Sequence, residues 1–293
     1  MTASTIEANL PVAAEQPRNR PRRRVGDVLL HAYTWLVILW LMAPIAVIII
    51  FSFNNPTGRY NTNWVGFTTK YYSWAKLSEI PDLRDGVINS IAIAVIATLG
   101  SVVLGTGIGI ALGKYRFRGS GSLNLVMFAA ISAPEIVLGA ALLSFFVTLG
   151  TGFGYPTIII AHIMFSLSFV AVVVRARVLT LDPSMEEAAK DLGASAWTTF
   201  WRVTFPLIFP GVMAAAMLAF SLSIDDFVIT NFVSGDTDTF PLWVFGATRV
   251  GLPPQVNVLG TLLFVGGVSL AAARAGVVRF RRVQATAPRA VTG

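Results

Sequence analysis

Long apolar runs separated by short polar intervals set the rhythm of this chain. A helix that crosses about 30 Å of hydrocarbon at roughly 1.5 Å per residue needs about 20 mostly apolar residues. Six stretches meet or approach that length: 29–53, 87–112, 123–149, 157–174, 206–233 and 258–278. Pro44 lies inside the first, Pro134-Glu135 inside the third and Asp225-Asp226 inside the fifth, which is expected to continue as helix past the acidic pair. Arg274, near the end of the sixth, is expected to snorkel to the interface. The pattern predicts an all-α membrane protein with six transmembrane helices. It divides into a basic mobile tail over 1–28, one membrane domain over 29–280 and a tail over 281–293.

Composition sharpens this picture. Of 293 residues, 55% are hydrophobic and 13% charged, about half the charge of an ordinary soluble domain. The absence of cysteine excludes a disulfide scaffold, a thiolate metal site and a thiol nucleophile, and two histidines leave little for a metal centre. The net charge of +7 would suggest nucleic acid in a soluble chain, but these bases flank apolar runs and read as membrane orientation. Arg18, Arg20, Arg22, Arg23 and Arg24 precede the first run. Lys114, Arg116 and Arg118 follow the second, Arg175, Arg177, Lys190 and Arg202 follow the fourth, and Arg279, Arg281, Arg282 and Arg289 follow the sixth. The opposite side receives only Arg59, Lys70, Lys76, Arg84 and Arg249. Both termini are therefore expected in the cytoplasm, with lipid as the surrounding partner and no nucleic acid. Although Arg22–Arg24 resemble a twin-arginine signal, no A-x-A cleavage site follows the 25-residue run, so the first helix is read as uncleaved.

One interval is built as more than a connector. Asp182 is placed to cap a helix, Pro183 to occupy its first position, and Glu186 and Glu187 to complement the dipole of its first turn. Gly193 is placed to end it in a left-handed conformation, Ser195 to cap a second short helix, and Pro206 to mark entry into the fifth span. Two short helices joined by a glycine would make a compact cytoplasmic knob over 182–206. A capped connector on the membrane surface is the plainer alternative. The literal string is Glu187-Ala188-Ala189, three residues, Gly193, nine residues, then Val203-Thr204-Phe205-Pro206. It resembles the EAA loop of permease subunits of ABC importers, with Val203 and Phe205 in place of the usual Ile and Leu.

Further strings narrow the resemblance to the polyamine-permease branch. They are Ser223-Ile224-Asp225-Asp226-Phe227-Val228, Phe232-Val233-Ser234-Gly235, Phe240-Pro241-Leu242, Pro254-Gln255-Val256-Asn257 and Pro134-Glu135-Ile136-Val137. The likeness covers roughly 85–280. It implies the type I importer permease fold, with the 182–206 loop as a coupling helix through Glu186, Glu187, Ala188, Ala189, Gly193 and Pro206. It also implies partners: an ABC ATPase dimer that holds ATP and Mg, a second permease subunit and an extracytoplasmic solute-binding protein. The chain itself is expected to bind no cofactor and to have no catalytic residue or ATPase site. Polyamine import is the implied function, with another cationic or small organic solute as the alternative.

An ionisable residue inside a span costs at least about 2.5–3.5 kcal/mol on insertion scales, so each one is a functional candidate. Glu135 falls about 18 Å into its run, and Asp225 and Asp226 about 30 Å beyond Pro206. One reading makes these three acids stations for an organic polycation. The other has Glu135 hydrogen-bonded beside the Pro134 break, and Asp225 or Asp226 capping a broken helix or pairing with a partner subunit. Adjacent helical residues point about 100° apart, so at most one of the acidic pair faces a central path squarely. An intramembrane carboxylate enzyme or a cation channel is the rival from another class, but nothing local makes Glu135 converge on the pair. His31 and His162 lack any metal-site context. Gly105-x-x-x-Gly109-x-x-x-Gly113-Lys114 fails as a phosphate loop, because Tyr115 stands where Ser or Thr is required, and reads instead as a close helix contact.

Overall fold

The computed structural model describes residues 25–286. Its helices run in the order α1 Val25–Ser52, α2 Trp74–Leu77, α3 Pro81–Lys114, α4 Ser120–Ser132, α5 Glu135–Thr148 and α6 Tyr155–Val178. They continue as α7 Ser184–Asp191, α8 Ala196–Thr199, α9 Phe205–Ile224, α10 Val228–Val233, α11 Phe240–Thr248 and α12 Pro254–Thr286. Among the described residues there is no strand beyond one isolated bridge between Asn54 and Phe67. Four helices are long and apolar enough to cross a membrane, five if the bent pair α4–α5 counts as one span, and Pro254–Ser269 is a shorter apolar helix. The six expected stretches are thus all helical, but not all of them are simple spans.

Helix ends depart from expectation at both termini. Residues 25–28, assigned to the tail, already belong to α1, and α12 runs on through 281–286. Residues 1–24 and 287–293 and the Arg274 side chain, on which other expectations fell, lie outside the described residues.

The core is a slab of α3, α6 and α9, packed pairwise. Small residues make the α3–α6 approach close, as the glycine spacing predicted. A Cβ on Gly109 would lie 2.8 Å from the Ala171 carbonyl oxygen and 2.9 Å from Val174 Cβ. Gly105 and Gly113 meet Val170 and Val178 in the same way, one turn to either side. Without a hydrophobic drive between helices in lipid, this backbone-level packing is a main source of association. Arg177 ties α6 to α9: its Nε and Nη2 donate to the Leu207 carbonyl at 3.0 and 2.8 Å, while its stem lies over Gly211.

Two of the stretches are interrupted. The third bends at Pro134, where α4 and α5 meet at 109°. Ala133 is extended (φ −69°, ψ 134°), as the residue before a proline is driven to be, and the helix restarts with Val137 and Leu138 donating to the Pro134 carbonyl. The fifth stretch does not continue past the acidic pair: α9 stops at Ile224, and α10 begins afresh at Val228. The same helix starts earlier than expected. A single turn, α8, passes through a π turn over Phe200–Thr204 directly into α9, so the second short helix of the knob is the root of the fifth span. The Phe205 N–H reaches back to the Phe200 carbonyl. That widening relieves the clash which the Pro206 ring would make with the preceding turn.

The seam can be tested by volume. Gly109→Val should lower the unfolding temperature of the detergent-solubilised protein, since overpacking costs about 1–3 kcal/mol. Gly107, which faces open space, should accept Gly107→Ala without loss. Equal melting of the two variants would contradict the seam.

Candidate coupling face and transport path

The segment after α6 is assembled by local capping. The Asp182 carboxylate accepts the Ser184 N–H at 3.0 Å, which holds its pKa below the ordinary carboxylate range. Pro183 is the N-cap rather than the first helical residue, a shift of one position. At the far end Gly193 has φ +80°, its N–H reaches the Lys190 carbonyl and the Ala194 N–H reaches that of Ala189, a Schellman closure. Ser195 Oγ then accepts the Thr198 N–H at 3.2 Å and starts α8.

The adjacent acids of this helix face opposite ways. Glu186 turns inward, with Oε2 2.5 Å from Lys114 Nζ at the end of α3, while Thr204 Oγ1 donates to Oε1 at 2.6 Å. Burial alone would raise its pKa, but the Lys114 and Thr204 hydrogen bonds and the Lys114 and Lys190 charges outweigh it and leave the group below its ordinary value. Glu186 is therefore an internal brace joining α3, α7 and the root of α9, and not the surface contact expected from the motif. Glu187 and Ala188 are open, and Ala189 is half-buried. Met185, Ala188 and Leu192 fall at i, i+3 and i+7 and all face outward, Leu192 at 90% exposure. This inverts the usual arrangement in which the apolar stripe faces the core. Trp197, 72% exposed, and Trp201, with ring centroids 5.6 Å apart, extend the apolar surface. Pro206 is exposed in the first turn of α9.

The three intramembrane acids are not brought together. Glu135 opens α5 just after the break; it is exposed and makes no hydrogen bond or ion pair among the described residues. Asp225 borders a cavity of about 890 Å³ between α3, α9 and α12, with the Ser221 hydroxyl and an otherwise apolar wall that includes Met217, Phe220, Leu262 and Leu263. Asp226 points away from that cavity and is only 8% exposed. Its Oδ2 accepts the Thr230 N–H and hydroxyl, each at 2.8 Å, and lies 3.2 Å from His162 Nε2, while Oδ1 takes the Ile229 N–H at 3.4 Å. The capping alternative thus describes Asp226, and its expected role as an open cation station does not survive. Glu135 does not line the Asp225 cavity, although its helix packs on α10 where Phe232 lies against Gly139.

Sequence reading passed over His162 and Arg177. His162 was set aside because no ligand spacing surrounds it, and its partners lie 61 to 68 residues away. Arg177 was counted only as a cytoplasmic charge, and the one local signal for its role was Gly211, which clears room for its stem.

Comparison with known proteins completes the site. Residues 105–277 match the family described as binding-protein-dependent transport system inner membrane component. The chain is 37% identical over 242 residues to the spermidine/putrescine transport system permease protein PotC of Escherichia coli K12, covering 82% of this chain and 90% of the relative. It is 37% identical over 290 residues to the putrescine transport system permease protein PotI of the same organism, covering 94% and 98%. Among solved structures, a bacterial ABC transporter involved in import of the acidic polysaccharide alginate superposes with TM-score 0.59 at 18% identity, over 93% of this chain and 100% of that one. The MetNI methionine ABC transporter gives 0.57 at 20%, over 69% and 96%. These structural likenesses carry the fold alone.

The brace makes a pH prediction. Because the folded pKa of Glu186 lies below the ordinary value of 4.5, its stabilisation is complete above that value and is lost as pH falls through the folded one. Melting temperature should therefore fall between neutral pH and about pH 3 less in Glu186→Gln than in the natural protein, with the variant less stable at pH 7 by about 1–3 kcal/mol. Parallel pH curves at equal stability would remove the brace.

Proposed function

The chain belongs to the binding-protein-dependent transport system inner membrane components, and from that premise we propose that it passes polyamines of the spermidine and putrescine type inward. The single observation that carries this reading is the lone carboxylate, that of Asp225, on a largely apolar cavity, in a chain 37% identical to two polyamine permeases. A polyamine is a string of ammonium groups separated by methylenes. One carboxylate with the Ser221 hydroxyl takes one ammonium, and Met217, Phe220 and Leu262 take the methylenes. Transport needs binding strong enough to enter and weak enough to leave, which a single carboxylate supplies better than a cluster. Glu135, exposed at the α4–α5 break, is a second acidic station along the path.

Energy enters at α7. Its outward stripe of Met185, Ala188 and Leu192, with Glu187 beside it, docks into a groove on an ATPase subunit. ATP and Mg are held there, on the ATPase pair, and not on this chain. When the ATPases close, α7 moves as a rigid body. The Lys114–Glu186–Thr204 brace carries that displacement into α3 and α9, and the slab switches between two packings that open to opposite sides. The other partners are a second permease subunit of the PotB/PotH kind and an extracytoplasmic solute-binding protein, with both termini of this chain in the cytoplasm.

Uptake of labelled spermidine and putrescine by cells lacking the gene, with and without the natural copy restored, tests the substrate. Restored energy-dependent uptake is expected. No difference, with the complex assembled, would move the cargo to another small solute. Asp225→Asn should cut uptake about tenfold or more, on the order of one lost charge-assisted hydrogen bond, while leaving assembly with the ATPase intact. For the coupling face, Leu192→Glu should weaken co-purification of the ATPase without lowering the melting temperature. Unchanged association would put docking elsewhere.

A further inference from the structure

His162, in the second turn of α6 and 2% exposed, spans the break in the fifth stretch with both ring nitrogens. Nδ1 lies 2.7 Å from Ser223 Oγ, near the end of α9, and Nε2 lies 2.9 Å from Thr230 Oγ1 in α10 and 3.2 Å from Asp226 Oδ2. Ser223 and Thr230 are buried like Asp226. Counting protons fixes the ring. The Thr230 hydroxyl gives its hydrogen to Asp226 Oδ2, so it offers His162 only lone pairs, and a carboxylate is acceptor-only. Nε2 therefore carries a proton, shared between that hydroxyl and that carboxylate.

The need for such a donor follows from the break itself. A helix interrupted in an apolar bundle leaves N–H groups at its restart that must find partners. Asp226 supplies acceptors for Ile229 and Thr230, but a buried carboxylate is costly unless donors converge on it. The side chains of Ser223 and Asp226, pinned to one ring, flank Asp225 on the chain, and Thr230 pins the following helix to the same ring.

We infer that His162 is a positioning residue that clamps both helix ends at the break and thereby aims Asp225 into the cavity between α3, α9 and α12. The inference rests on the reading of Asp225 as the cation station, but its test does not require transport.

The chain has no cysteine of its own, so Asp225→Cys places one thiol in it. The rate at which a cationic methanethiosulfonate reagent modifies that thiol is read by mass spectrometry of this chain, in the assembled complex in lipid nanodiscs. Three backgrounds are compared: natural His162, His162→Gln and His162→Leu. A glutamine amide replaces the Nε2 donor, so its rate should stay within about twofold, whereas the leucine variant should shift by about fivefold or more, as for a lost hydrogen bond to a charged group. A histidine that merely fills space would lower the yield of folded complex and leave the rate of the folded remainder unchanged. That result, or a glutamine variant no better than leucine, overturns the clamp. If His162→Leu does not assemble, Ser223→Ala carries the test, because it removes one of the clamp's contacts and leaves Asp226 paired. It should shift the rate in the folded complex, and an unchanged rate overturns the proposal. Failure of polyamine uptake would leave these rates readable, so the two readings fail separately.

Discussion

In an apolar bundle no water satisfies the end of a helix, so every interruption must bring its own hydrogen-bond partners. That constraint decides where this chain bends. At Pro134 the break is inexpensive, because the proline has no N–H to orphan and the following helix restarts on its carbonyl. At Asp225-Asp226 no proline is present, and the break exists because a buried carboxylate caps the restarting helix and a histidine from a neighbouring helix neutralises the cost of burying it. The two sites are linked, since α5, which begins after the first break, packs on α10, which begins after the second.

The cytoplasmic end follows a similar economy. A helix of two turns has little stability of its own, and α7 presents its apolar side chains outward. It is held by its caps and by Glu186, whose two oxygens are taken by Lys114 and Thr204. Arg177 on the Leu207 carbonyl adds a second charge-assisted tie, between α6 and α9 within the slab beside the loop. Apolar side chains slide past one another at small cost, whereas directional bonds of this kind carry a displacement without slipping. A connector that served only to join two spans would not require them.

Much of this was legible in the sequence because it is local. Apolar run length gave the helices, the four-residue glycine spacing gave the α3–α6 seam, and Gly193 and Ser195 read directly as caps. What escaped were choices made by distant partners. Nothing within a few residues says which of Glu186 and Glu187 turns inward; Lys114, more than seventy positions earlier, decides it. The roughly 100° between neighbouring helical residues allowed only one of Asp225 and Asp226 to face a path, yet the choice belongs to His162 in another helix. Pro134 announced a disturbance, but nothing beside it in the sequence gives the 109° angle or the packing of α5 on α10. The continuity of α8 with α9 was hidden by Pro206, since the π turn that accommodates it leaves no mark in composition.

The division of labour between the two aspartates bears on the cation station proposed for Asp225. Two free carboxylates at adjacent positions would repel each other where water is scarce, and with a cation between them would form a trap, because Coulomb terms grow as the local dielectric falls. A break without any buried carboxylate would leave the N–H groups of α10 unsatisfied. Burying Asp226 against His162 and Thr230 resolves both difficulties, since the helix restart is capped and its charge is withdrawn from the cavity. Asp225, which borders the cavity, then acts as a single charge on a wall whose other polar group is the Ser221 hydroxyl. The acidic pair is thus one structural group and one exposed group, and the exposed one holds its place because the structural one is held.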